Sequence, residues 1–243
     1  MTTINIPVKV NASSQLLCAW GGPVSTVCWL LGFMLLAGFI PPLDPNDSAL
    51  EIQKYYQDNT NMIRFGMWVT MLGGALMGPF WGAVYIQMKR IEGYYSPLAN
   101  VQLGLGMIVI LLFVMPCFSL ATAAFRPERD AELIMLMNDA GWLPFVAGFH
   151  CTFVQLFVIG YCILQDKEQK VFPRWLAFVN FAVAMLFLPA GGAIFFKTGP
   201  FAWNGLLAFW LAVVDFCGWY LLLFWYVRKA ILKQAAEAGS DAA

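Results

Sequence analysis

The chain has 243 residues, 60% of them hydrophobic and 12% charged. Soluble domains carry about 25% charged residues, so a water-soluble globule is excluded. Fourteen basic residues balance fourteen acidic ones. That leaves no basic stripe of the kind a nucleic-acid partner needs.

In chain order, six apolar stretches follow one another at about residues 17–40, 63–88, 98–125, 142–164, 175–196 and 201–227. Each reaches the roughly 20 residues that a helix needs to cross a bilayer core. The runs are continuous and do not alternate, and in lipid each backbone must satisfy its own hydrogen bonds, so helices are expected and not barrel strands. The expected fold is all-α: a polytopic membrane helix bundle of six transmembrane helices over 17–229, with tails at 1–16 and 230–243. The first stretch is longer than the roughly 7–15 residues of a signal-peptide core and reads as a retained first helix. Ten Trp residues fit anchoring at both lipid interfaces.

Loop charges give an orientation. With the N-terminus inside, nine cations fall on the inner side: Lys9, Lys89, Arg90, Lys167, Lys170, Arg174, Arg228, Lys229 and Lys233. Five fall outside: Lys54, Arg64, Arg126, Arg129 and Lys197. The positive-inside rule then favours both termini in the cytoplasm and a multi-pass protein of the inner (plasma) membrane. Two outer connectors are expected to hold short amphipathic helices. One starts at the capping box Ser48-Ala-Leu-Glu51. The other lies within 126–141, where charged and apolar residues alternate.

Chemistry-bearing residues are few. The second stretch carries Gly66, Thr70, Gly74, Gly78 and Gly82 at four-residue spacing, a small-residue stripe for close helix packing. Asp215 stands near the middle of the sixth stretch, where an ionised Asp costs about 2.5–3.5 kcal/mol on insertion scales. Such a residue is a candidate for ligand binding or proton chemistry, and helical spacing groups it with Asn204, Ala208 and Ala212. His150, the sole histidine, lies at a similar depth in the fourth stretch. That stretch has two sides: Gly141, Gly148, Thr152 and Gln155 on one, His150, Val154, Phe157 and Tyr161 on the other. Asp215 is therefore expected to meet Gln155 or His150, and not both. Outside the membrane, Arg126 and Arg129 are expected to pair with Asp139, or with Asp44 and Asp58, in a polar cluster.

One histidine is too few for a catalytic zinc, haem or di-iron site, and the cysteines Cys18, Cys28, Cys117, Cys151, Cys162 and Cys217 lack metal spacing. No cofactor or metal is expected. Gly104-Leu-Gly106 lacks the third glycine of a dinucleotide fingerprint.

The Pro41-Pro42 exit, Tyr55–Asn59 with Ile63-Arg64, Gln87–Gly93, Phe125–Arg129, Asn138–Trp142, Phe172–Trp175 and Gly199–Gly205 carry a resemblance. In these segments the chain resembles a group of uncharacterised bacterial integral membrane proteins with six spans. The resemblance covers nearly the whole chain and implies no activity, substrate or cofactor.

Three functions stay open on the sequence. The first is a bundle that binds or passes a small apolar or amphiphilic molecule, with Asp215 and Gln155, Thr152, Asn204 or His150 around it. The second is an enzyme acting on a lipid-like substrate with Asp215 and His150 as acid and base. The third is a structural subunit that uses the glycine stripe against a second copy or a membrane-complex partner. Membrane lipid is the expected surrounding in all three. The absence of nucleotide and metal motifs favours binding or assembly over catalysis.

Overall fold

The structure is a computed structural model that describes residues 10–240; Lys9, one of the cations counted above, lies outside them. It is all-helical, with no strand among the described residues. Six helical segments are long and apolar enough to cross a membrane. The first is α1 (Ala12–Trp29), prolonged by a π-helical turn at Leu30–Leu36. A short helix, α2 (Ala49–Asp58), follows in the loop. The second and third spans are the unbroken α3 (Thr60–Glu92) and α4 (Pro97–Phe125). The fourth is made of α5 (Ala131–Ala147) and α6 (His150–Gln165). The fifth is α7 (Trp175–Leu186) running into a 3-10 turn at Leu188–Ile194. The sixth opens with a π turn at Leu206–Trp210 and continues as α8 (Leu211–Ser240).

Local chemistry sets the helix ends. Ser48 and Glu51 form the reciprocal capping box that starts α2, as the sequence led one to expect. Glu92, the last residue of α3, turns its carboxylate onto the free N–H groups of Leu98 and Ala99 at 3.0 and 2.7 Å, so one acid ends one span and caps the next. Asp130 caps α5 by accepting from the Glu132 N–H at 2.9 Å. Here the fold departs from the sequence reading. Residues 126–141 do not form a separate interfacial helix; α5 runs from Ala131 through Trp142 without a stop. Nothing between Asn138 and Trp142 breaks a helix, and Gly141 is tolerated because the Leu120 side chain of α4 fills the space a Cβ would take.

Both described ends of the chain meet at one end of the bundle. Gln87 of α3 donates to Gln15 of α1 at 2.7 Å and to Gln234 of α8 at 3.3 Å. Arg90 donates to the Ala230 carbonyl and pairs with Glu237 at 3.4 Å. The opposite end holds α2, which lies against α5 and carries Tyr56, fully buried, with its hydroxyl on Asn138 at 3.1 Å.

The small residues of α3 let its neighbours close in, but on two different sides. Gly66 and Thr70 face the first span, where a Cβ on Gly66 would run into the Gly32 carbonyl and Ala37. Gly74 and Gly78 face Val114 and Ile110 of α4 instead, and Gly82 faces nothing within 4 Å. A four-residue step overshoots a helical turn by about 40°, so the stripe winds from one neighbour to the next. Gly66→Leu should therefore lose about 1–3 kcal/mol by overpacking, whereas Gly82→Leu should stay within about 0.5 kcal/mol of the parent. Thermal melting of the two variants in detergent checks the order; equal losses would mean that α3 packs otherwise.

Candidate functional site

Four of the six spans leave α geometry near one region. The π turn of the first span begins just after Trp29. The fourth is interrupted at Gly148 and Phe149. The fifth tightens after Phe187. The sixth enters through its π turn at Leu206–Trp210. Trp29, Gly148, Phe149, Phe187, Ala208 and Ala212 all line one cavity of about 80 Å³. Small side chains on the sixth span leave the room, and the rings of Phe113, Phe145 and Phe216 close the walls. Several times the roughly 10–15 Å³ needed for one water, this space is nonetheless mostly apolar.

Its polar inventory is short: the Thr152 hydroxyl, the Cys217 thiol and the indole of Trp29. The Trp29 N–H is buried and has no hydrogen-bond partner. All six cysteines are free thiols.

A second cleft, of about 190 Å³, opens at the α2 end. Asp44, Asp47, Asp139, Asn138, Lys197 and Trp203 line it. Backbone and side-chain hydrogen bonds from Asn46 hold the Asp44 carboxyl below its ordinary range. Burial pushes Asp47 upward, and the charge of Asp44 adds to that. Fully buried Trp142 stands between this cleft and the inner cavity. It stacks on Trp203 of the cleft at 6.5 Å and meets Phe145 and Phe209 of the cavity edge-on at 6.3 and 6.1 Å. One indole thus separates a carboxylate-lined mouth from an apolar chamber.

Toward the end that holds the termini lies a buried amide cluster. Gln155 donates from Nε2 to the Gln102 carbonyl at 3.2 Å. Both amide atoms of the Gln102 side chain, the Gln155 Oε1 and the Trp81 Nε1 have no partner, and all three residues are fully buried. Gly106 makes the room, since a Cβ there would strike the Trp81 ring and the Gln155 amide. Sequence reasoning missed Gln102. The available signal was an amide, two residues after Asn100, in the most apolar of the six spans, and such residues are rarely placed there without a reason.

The residues singled out on the sequence do not gather at one point. Thr152 lines the cavity. Gln155, one turn further along the buried face of α6, belongs to the amide cluster. His150 lies on the exposed face with Val154, Phe157 and Tyr161 and stacks on Phe149 at 4.6 Å. Asp215 bonds to neither: its Oδ2 is buried without a partner, and it is not among the residues lining the cavity. Asn204 sits in the turn before the sixth span and interacts with Asp44. The spacing that grouped Asn204 with Asp215 assumed continuous α-helix, and the helical segment begins only at Leu206. The expected arginine cluster is also replaced. Arg126 lies over the Phe125 ring at 5.8 Å, the Arg129 carbonyl accepts from Gln53, and Lys197 is the cation that acts on Asp139.

Comparison with protein-family models, curated proteins and solved structures finds no match. The six apolar helices carry the reading as a multi-pass membrane protein.

An unpartnered carboxyl inside a span gives the fold nothing in return for its insertion cost. Asp215→Leu should therefore insert more favourably by about 3 kcal/mol and melt no lower than the parent. Glycosylation mapping of the sixth span and thermal melting measure this. A clear loss of stability would instead show that Asp215 ties helices together.

Proposed function

We propose that this protein binds a small apolar molecule inside its helix bundle and passes it between the chamber and the α2 end. One observation carries the reading: the helical breaks of four spans lie beside a single apolar cavity lined by Trp29, Gly148, Phe149, Phe187 and Ala208. Non-helical backbone at membrane depth is tolerated where it is buried in protein or lines a cavity. The lining favours an otherwise apolar body with at most one polar group. The Thr152 hydroxyl is the polar contact for it. Trp142, between chamber and cleft, is the group that has to move for passage.

The enzyme reading has no comparable support, since His150 faces outward and does not meet Asp215. The assembly reading has lost most of its surface, because Gly66, Gly74 and Gly78 are used within the chain.

Xenon is a suitable probe, being apolar and small enough for a dry chamber. Xenon-pressurised crystals should show an atom between Trp29 and Phe149, and Ala212→Phe should remove it by filling the space. Xenon binding that survives Ala212→Phe, or none in the parent, would overturn the proposal.

We further place both termini in the cytoplasm of a cell bounded by this inner membrane. Six spans bring both described ends to one side, and Lys89, Arg90, Lys167, Lys170, Arg174, Arg228, Lys229 and Lys233 share that side. Reporters active only in the cytoplasm should give signal when fused after Ala243 or inserted at Lys167–Lys170. Signal from an insertion at Pro45 would invert the assignment.

A further inference from the structure

The end of the bundle that holds the termini carries a groove of about 430 Å³ that the proposed function does not use. Lys170, Lys229 and Lys233 line it, and Val171 and Pro173 give it an apolar wall. The groove is built and not incidental. Asp166 accepts from the backbone N–H groups of Lys170, Val171 and Phe172 at 3.0, 2.8 and 3.3 Å, which folds the α6–α7 loop back on itself. Lys233 then donates to the Lys170 carbonyl at 2.9 Å and fastens the loop to α8.

Three acids, Asp166, Glu168 and Glu237, stand close to these three lysines. The Asp166 carboxylate keeps its charge while accepting from those three N–H groups, and that charge acts on Lys170. Glu168 pairs with Lys170 at 2.5 Å, but both side chains are 71% exposed, and such a pair is worth little in water. Glu237 lies 3.4 Å from Arg90 and 3.9 Å from Lys233. Among the described residues no carboxylate pairs with Lys229, whose ammonium lies 5.6 Å over the Tyr226 ring. Tyr226 meets Trp175 edge-on at 5.3 Å, and Trp175 is 46% exposed. Trp and Tyr favour the boundary between acyl chains and headgroups, so the three ammonium groups stand at the level of lipid phosphates.

We propose that this groove binds the phosphate of an anionic membrane lipid, with Lys170, Lys229 and Lys233 as donors and Val171, Pro173 and Tyr226 against its glycerol and first acyl carbons. Basic pockets between spans are suited to such headgroups. The site stands whether or not the apolar chamber binds a guest.

Native mass spectrometry of the full-length protein in neutral detergent tests it. Phosphatidylglycerol, phosphatidylcholine and inorganic phosphate are the three probes. Phosphatidylglycerol should be retained over phosphatidylcholine, with binding about fivefold weaker for each of Lys170, Lys229 and Lys233 changed to Gln. Lys54→Gln at the opposite end should change nothing. High salt should weaken binding by the parent itself, a readout that needs no variant. Equal retention of the two lipids, undiminished binding by the triple Lys→Gln variant, or salt-independent binding would overturn the proposal. So would displacement of the lipid by an equal concentration of inorganic phosphate, which would make the groove a free-phosphate site.

Discussion

A backbone surrounded by hydrocarbon has no water to turn to, and that constraint governs the rest of this structure. Each N–H and C=O in a span must find its partner in the same helix or in protein packed against it. Two spans here, α3 and α4, meet the demand in the simplest way, as unbroken helices of 33 and 29 residues. The other four do not. Their irregular turns include or adjoin residues that line the same cavity: Trp29, Gly148, Phe149, Phe187 and Ala208. The chamber and the helix breaks are therefore one feature seen from two sides.

The unbroken pair also explains how so irregular a bundle stays packed. α3 lies between the first span and α4, and its small residues wind with the helix from one to the other. Close approach on both sides replaces the hydrophobic drive that helices lack inside lipid. Aromatic rings fill what the glycines leave. Phe33, Phe39, Trp142 and Phe145 interlock toward the α2 end, and Phe80, Trp81, Trp219 and Tyr220 toward the other. The chamber lies between these two aromatic layers, joined to both through Phe113 and Phe216.

The number and type of the spans were legible in the sequence because length and hydropathy decide them without reference to neighbours. The capping box at Ser48 was legible for the same reason: it is a local contact between residues three apart. The breaks were not. Gly148-Phe149 lies inside an apolar run, and neither residue by itself ends a helix. The two π turns, Leu30–Leu36 and Leu206–Trp210, have ordinary apolar sequences. Asn204 falls in the turn before Leu206, outside the helix, so helical phase does not link it to Asp215. Within the continuous α6 the same arithmetic works: Thr152 and Gln155 are buried and His150 and Tyr161 are exposed. Periodicity holds as far as the helix does.

The two ends of the bundle differ in the kind of polar group they hold. At the α2 end, Asp44, Asp47 and Asp139 face a single lysine, Lys197, across an open cleft. At the other end, Gln15, Gln87 and Gln234 bond to one another between the helices, and the lysines stand outside them. An amide network closes space, because each member satisfies another and none has to be reached by water. A cluster of carboxylates does the reverse, since like charges stay ionised only where solvent reaches them. The two ends thus differ physically: an open carboxylate-lined cleft lies on the α2 side of Trp142, and a closed amide layer lies at the other end.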